Sequence, residues 1–342
     1  MLRRGATIAA ALLAVLLAQR SAGQVAPRSA LEDASATADS RQLDIGAGGF
    51  VTLTSVLPLP AQESIVVKDM KGTVVRTLVN ESRPAGVYAD KWDGKGDGGR
   101  RLKDDQYRWV ATFTTGGHTF TIDRSNELDG DFELKSHQDY PSWDPFRGLP
   151  LRFSVTFERP GEIVLIFSRA TFNVSPDCDR PEFFCRFLDG YFPAGEFTYE
   201  WAGVDNLGAF RPDIHGIAVI SHHEDLARNA IVVHGGRPSV SRLSVTPARF
   251  EPALDSQEVR FSLHTFQDER ASVEVSWMNQ DSRSVLKSLL LSDANTSSLN
   301  VSWDGRAANG MRVAPGVYVL SVRATDALGQ ESKAEILTTI VY

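Results

Sequence analysis

Along most of the chain, apolar and polar residues alternate with a period of two. Tyr107, Trp109, Ala111 and Phe113 alternate with Arg108, Val110, Thr112 and Thr114, and Tyr318, Leu320, Val322 and Ala324 alternate with Val319, Ser321, Arg323 and Thr325. This is the pattern of a strand with one face in a core and the other toward a mixed surface. Phe197, Tyr199 and Trp201 share a face in the same way, as do Leu299, Val301 and Trp303. Ile65 and Val67, then Ile163, Leu165 and Phe167, then Val273, Val275 and Trp277 open hairpins that turn at polar stretches such as Lys68-Asp69-Met70-Lys71-Gly72. Downstream of the amino-terminal apolar run, no stretch keeps a helical apolar stripe over four turns. The expectation is an all-β chain.

The strands recur with a longer period. Trp92, Trp201 and Trp303 are 109 and 102 residues apart, the length of one immunoglobulin-like sandwich. Trp92 is followed by Asp93, Gly94, Gly99 and Tyr107, and Trp303 at identical spacing by Asp304, Gly305, Gly310 and Tyr318. Trp201 keeps Gly203 and Gly208 but has Ala202 in place of the aspartate and loses the tyrosine. Upstream, Arg76 and Leu78, Arg186 and Leu188, and Lys287 and Leu289 fall at matching places within one residue.

Each part of the repeated string has a physical use. A tryptophan ending a strand closes a sandwich core and offers its indole N–H to a nearby carbonyl. Asp-Gly after it suits a turn, because aspartate bonds the backbone two residues on and glycine takes positive φ. Pro315-Gly316 resets the chain, and Tyr318 points inward with its hydroxyl available to the backbone, as in the tyrosine corner of other sandwiches.

The combination V-R-x-L, W-D-G-x-x-x-x-G and P-G-x-Y-x-L resembles the FlgD-type immunoglobulin-like domain, found in the flagellar hook-capping protein and in many exported bacterial proteins. The resemblance is close over Gly72–Phe113 and Val285–Ala324 and weaker over Cys185–Ile220. It implies three tandem immunoglobulin-like or fibronectin-III-like β-sandwiches, at 47–144 with a carboxy-terminal strap, 145–236 and 237–342. It also implies a scaffold or binding module, and it brings no catalytic residues.

The amino terminus supplies an address. A basic start with Arg3 and Arg4, an apolar run from Gly5 to Ala18 and the small-residue exit Ser21-Ala22-Gly23 read as a secretory signal peptide spanning residues 1–23. The run of 14 residues is short of the ~20 a spanning helix needs, and no later stretch approaches that length, so no membrane insertion is expected after cleavage. Residues 24–46, small and polar, read as a flexible leader. Without the signal, 33 basic residues face 43 acidic ones, a surface that excludes nucleic acid as a natural partner. The expected location is secreted, periplasmic or at the cell surface, where Cys178 and Cys185, seven apart in one loop, are expected to pair.

Candidate chemistry is sparse. The middle copy has a hairpin about ten residues longer than its neighbours, holding both cysteines with Phe172, Phe183 and Phe184. One reading makes it a recognition tip, since loops on a rigid sandwich often carry binding; the other folds the rings back onto their own module. Asp93, Asp97, Asp104, Asp105, Asp129 and Asp131 offer oxygen ligands for Ca²⁺, but their spacing matches no calcium loop and favours turn and N–H capping. His222, His223 and Glu224 read as a surface strand end, because neighbours on a strand point to opposite faces and cannot chelate together. Segment 116–145 fits an extra hairpin or a strap between modules. No nucleophile elbow, zinc-helix or phosphate-loop motif is present, and no cofactor or metal is expected.

The expected protein is a non-enzymatic exported scaffold, three modules in a stiff rod that bind or space an unknown protein or glycan at the cell envelope. The alternative is an accessory module holding glycan or peptide beside a secreted enzyme. A hook-cap-like assembly role follows only by analogy.

Overall fold

The computed structural model describes residues 30–128, 132–139, 144–168, 191–203, 216–224, 226–294 and 298–342. The predicted signal peptide, the Cys178–Cys185 loop with its phenylalanines, and Gly208, Asp129 and Asp131 lie outside the described residues. The fold is all-β.

The first unit begins earlier than the sequence suggests. A 3₁₀ turn at Ala30–Asp33 leads to β1 (Ser35–Ala38) and β2 (Gln42–Asp44). Leu31, Ala34, Ala36, Leu43 and Ile45 are buried in the core of this unit. The expectation of a flexible leader through residue 46 is therefore corrected from residue 30 onward. Short apolar side chains at alternate positions suffice to pack here, although polar residues fill the positions between them.

β3 (Val51–Leu57), β4 (Ala61–Lys68), β5 (Val74–Arg83), β6 (Gly86–Trp92), β7 (Asp105–Thr115) and β8 (His118–Ile122) follow. The order β1-β3-β6 makes one sheet, and β4 lies between β5 and β7 in the other. Between β4 and β5 the Asp69 carboxylate accepts from the Lys71 and Thr73 N–H groups, which fixes the hairpin turn. Trp92, Phe113, Leu53, Leu57 and Val67 fill the space between the sheets, each contributing about 1.5–3 kcal/mol by leaving water.

The middle unit contains β9 (Phe132–Asp139), β10 (Leu151–Phe157), β11 (Gly161–Ser168), β12 (Tyr191–Phe192), β13 (Gly195–Trp201) and β14 (Gly216–Glu224). β10 pairs with β13, and the second sheet runs β12-β11-β14-β9. Phe153, Val155, Phe157 and Trp201 are buried on the first of these sheets.

β15 (Ala230–His234) overturns the serial picture. It pairs antiparallel with β7 and parallel with β2, so it belongs to the first unit's sheet. Ile231 and Val233 sit in that unit's core. The expected boundary at residue 236 is thus wrong for this strand. The middle unit is inserted into the first rather than following it.

The third unit shows what was interrupted. Its strands are β16 (Ser239–Thr246), β17 (Arg249–Phe250), β18 (Gln257–His264), β19 (Ala271–Asn279), β20 (Val285–Ala294), β21 (Leu299–Trp303), β22 (Gly316–Thr325) and β23 (Glu331–Ile340). Here β22 and β23 form one unbroken hairpin from Thr325↔Glu331 to Gly316↔Ile340. In the first unit the matching last strand comes in two pieces. β8 covers Ala111–Thr115 of β7, and β15 covers Asp105–Arg108. The strand is cut between residues 122 and 230, and the middle unit occupies the gap.

Asn229 closes the cut. It is fully buried, its carbonyl accepts from Trp109 N (3.1 Å), and its side-chain amide donates to Trp109 O at 2.7 Å, standing in for a missing backbone N–H. The same amide nitrogen lies 3.2 Å from both Asp123 Oδ1 and Ser125 Oγ. The two arms of the insertion pair with each other through Arg228 N to Glu127 O (2.8 Å) and the Leu128–Ala227 bridge. Segment 116–145 therefore divides into β8, one arm of this stem and β9, which pairs with β14.

The units touch in several places, and the expected rod is replaced by a folded-back arrangement. Ala202 of the middle unit packs on Met278, Val319 and Leu337, the outer face of the third unit's sheet. Ala194 N donates to Gln42 Oε1 in the first unit (2.9 Å).

Replacing Asn229 with alanine removes the donor to Trp109 O at a fully buried position. The expected cost is about 1–3 kcal/mol, read as a lower urea midpoint, with faster amide exchange at β8 and β15 than at β4. An unchanged midpoint would contradict a clamping role for Asn229.

Candidate functional site

The repeated string folds into the same loop twice. Through this loop the equivalence between the first and third units is a constant shift of 211 residues. Trp92 Nε1 donates to Lys95 O at 3.0 Å, and Trp303 Nε1 donates to Arg306 O at 2.9 Å. Asp93 accepts from Lys95 N and Asp304 from Arg306 N, each closing a turn. Gly99 N bonds Gly96 O, and Gly310 N bonds Ala307 O. Leu102 N returns to Gly94 O as Val313 N does to Gly305 O. Tyr107 Oη donates to Lys103 O (3.1 Å), and Tyr318 Oη to Ala314 O (2.6 Å), the residue before Pro315-Gly316. Each tyrosine ring meets its tryptophan edge-on, at 5.7 Å and 6.5 Å.

Gly94 and Gly305 have no substitute. Both have positive φ, and a Cβ at either would lie 2.4 Å from a neighbour, Ile45 Cγ2 or Pro252 Cγ. In the middle unit Trp201 is buried and Gly203 keeps positive φ. The motif residues are thus engaged with their own fold, and their polar atoms are turned to local backbone groups.

The aspartates named for Ca²⁺ are spread among separate backbone tasks. Asp97 accepts from Thr77 N, Asp104 from Gly236 N and Arg237 N, and Asp105 from Gln106 N. Among the described residues no group of three or more His, Cys, Asp or Glu side chains could hold a metal ion. His222 and His223 occupy successive positions of β14, opposite Val164 and Ile163.

The loop of the first unit does have a second task, which single-residue reading missed. Arg101 and Asp104, on the connection between β6 and β7, dock onto the third unit. Arg101 donates to Glu269 Oε2 (2.7 Å) and to Asp326 Oδ2 (2.8 Å), and its guanidinium lies 5.0 Å from the Phe266 ring centre. The Arg101 and Asp326 side chains are only 5% and 4% exposed. Asp104 N donates to Gln330 Oε1 at 2.6 Å. A cleft opens beside this joint, lined by Lys95, Arg100, Arg101, Phe266, Glu269 and Leu328 among others. The pairing depends on three loops far apart in sequence, so no local pattern announces it.

The joint has two carboxylates shifted in opposite directions. Burial alone would raise the Asp326 carboxyl, but donation from Arg101, then from the Gln330 side chain and backbone, outweighs it and holds the group below its ordinary value. Burial prevails at Asp104, which is raised despite the Arg237 and Gly236 N–H groups. Burial likewise lowers the nearby His234 imidazole.

Residues 40–117 match the family model of the FlgD Ig-like domain, so the first unit carries a FlgD-type immunoglobulin-like domain. No curated protein matches the chain. Among solved structures, PorZ, an essential surface component of the type-IX secretion system of Porphyromonas gingivalis, is 22% identical over 30% of this chain and 12% of its own length, with a TM-score of 0.20. Dimeric latent PorU from the same organism is 10% identical over 90% of this chain and 34% of its own, at 0.28. A tetra-tandem repeat from the extending region of a large adhesion protein is 10% identical over 90% and 74%, at 0.22. None of these scores reaches the level of a shared overall architecture.

Substituting Arg101 with methionine leaves Asp326 buried without its cation, and about 3 kcal/mol of stability is expected to go, measured by urea unfolding. The sign with pH follows from the lowered Asp326 value. Its contribution is present above the unfolded carboxyl value of about 4 and is lost as pH falls through the lower folded value. In Asp326→Asn that acid-dependent loss should shrink; an unchanged acid limb would assign it elsewhere.

Proposed function

We propose, on the premise that the first unit is a FlgD-type immunoglobulin-like domain, that the protein is a non-enzymatic exported binding scaffold. The observation that carries this reading is the double loop. Two copies of the family string, matched bond for bond, spend the tryptophan indole, the aspartate carboxylate and the tyrosine hydroxyl on closing their own sandwiches. A motif used in that way supplies architecture, and specificity is left to what the architecture displays.

Two features support an arrangement with a base and a displayed unit. The first and third units are joined by a short connection and locked by Arg101, Asp104, Asp326 and Gln330. The middle unit leaves and re-enters the first through a closed stem, an insertion carried on the base. The long Thr171–Cys185 segment, which lies between β11 and β12 in the sequence, is the place to look for partner contacts.

The amino-terminal pattern directs the chain across a membrane. Among the described residues no helix is long and apolar enough to span one. A protein partner is favoured over a glycan held beside an enzyme. Among the described residues, Phe153 and Phe157 of the middle unit are buried in its core, and Phe50 of the first unit is exposed. Phe50 is further covered by the Lys91 ammonium at 3.8 Å.

Crosslinking of the tagged full chain in the intact envelope of its own host, followed by mass spectrometry, tests this reading. One recurrent surface protein is the expected result, and its yield should fall when 171–185 is replaced by a short polar turn. Recovery of the chain alone, or only from the medium, would remove the envelope-scaffold reading. Small-angle scattering should give a profile more compact than three modules in line.

A further inference from the structure

The two copies of the module differ at one sheet edge. β5 in the first unit and β20 in the third are equivalent edge strands, each paired among the described residues on one side only, with β4 and β19. An unpaired strand edge is a template for another strand unless something blocks it.

In the first unit it is blocked at both ends. Asp97 N donates to Val75 O (3.0 Å), and the Asp97 carboxylate accepts from Thr77 N (2.9 Å), so both outward backbone groups near the hairpin turn are taken. At the other end Arg83 turns inward, in a two-pronged pair with Asp90 of β6 (2.8 and 2.9 Å) and a bond to the buried Glu63 (3.0 Å), an inward charge of the kind that discourages edge pairing. Between these blocks the strand carries Asn80 and Glu81, both exposed.

The third unit keeps half of the first device and lacks the second. Ala308 replaces Asp97. Its N–H still meets Leu286 O (2.8 Å), but it has no carboxylate for Ser288 N, the counterpart of Thr77 N. Ala294 replaces Arg83. Matched through their partners on β19, Leu290 and Leu291 stand where β5 has Asn80 and Glu81. Leu290 is 65% exposed and Val285 55%. Leu289 and Leu291 lie against the core yet are only partly buried.

The open stretch is self-complementary. Ser288-Leu289-Leu290-Leu291-Ser292 reads the same in both directions. An antiparallel pairing about a two-fold axis at Leu290 sets serine against serine and leucine against leucine, the isologous contact a symmetric dimer requires. Leu289 of one copy then meets Leu291 of the other and continues the apolar layer across the joint.

We propose that the β20 edge is a self-association site, through which two copies of this chain join their five-stranded sheets edge to edge in a symmetric dimer. The occupant is a second copy because the strip complements itself, and the blocked β5 edge shows what the same module looks like when pairing is prevented.

Sedimentation velocity on the full chain across a concentration series tests it. The wild type should populate a dimer. Leu290→Lys sets like charges against each other on the axis and should weaken association at least about tenfold, with Leu290→Glu doing the same. A mixture of the two variants should recover the dimer. Leu290 is exposed, so at concentrations where the wild type is monomeric each variant should keep its melting curve. Amide exchange at Ser288, Leu290 and Ser292 should slow as concentration rises, while β5 amides stay unaffected. A wild-type chain that remains monomeric to its solubility limit overturns the proposal. So does a dimer indifferent to both charges, or one that leaves those amides unprotected.

Discussion

The backbone of β7 cannot be left half paired. Its second half is satisfied by β8, next along the chain, but its first half waits for β15, which comes only after the middle unit. Buried N–H and C=O groups without partners are costly enough that the first unit is incomplete until residue 230 and its successors return to it. The order of the units in space, the stem of the insertion and the closeness of the first and third units all descend from this pairing. Asn229 is its most economical device, since a side-chain amide supplies the bond that an uninterrupted strand would have made from its main chain.

Around that constraint the two complete sandwiches are built alike. The Trp-Asp-Gly loops agree in hydrogen bonds, glycine conformation and ring geometry at a constant shift along the chain. What differs is what each copy has been fitted for. The loop of the first unit carries Arg101 and Asp104, which reach the third unit. The third unit has Arg312 and Pro315 at those places and, among the described residues, makes no such outward joint there. The first unit's edge is sealed by Asp97 and Arg83, and the third unit has alanine at both places. A shared frame with divergent edges and loops is what a scaffold needs in order to present different surfaces from one fold.

The strand periodicity and the tryptophan spacing were legible because they are local: alternation follows from the pleat, and Asp-Gly turns from chemistry within a few residues. The all-β class and the FlgD-type domain could be read at that level. Residues 30–46 were misread because alanine-rich alternation looks like a polar leader until the partner sheet shows which side chains are covered. The insertion was invisible for a related reason. A strand split into β8 and β15 leaves two short apolar runs, each plausible as the end of one module or the start of the next.

By itself the sequence determined the class of structure, the repeated loop and the residues that close each sandwich, because these depend on side-chain type and short-range spacing. Tertiary structure decided that the modules are nested rather than serial, that Arg101 meets Asp326, and that one sheet edge is sealed while its counterpart is open. Those outcomes depend on which distant backbone groups satisfy one another and on what lies across a buried joint, and no local pattern encodes a partner a hundred or more residues away.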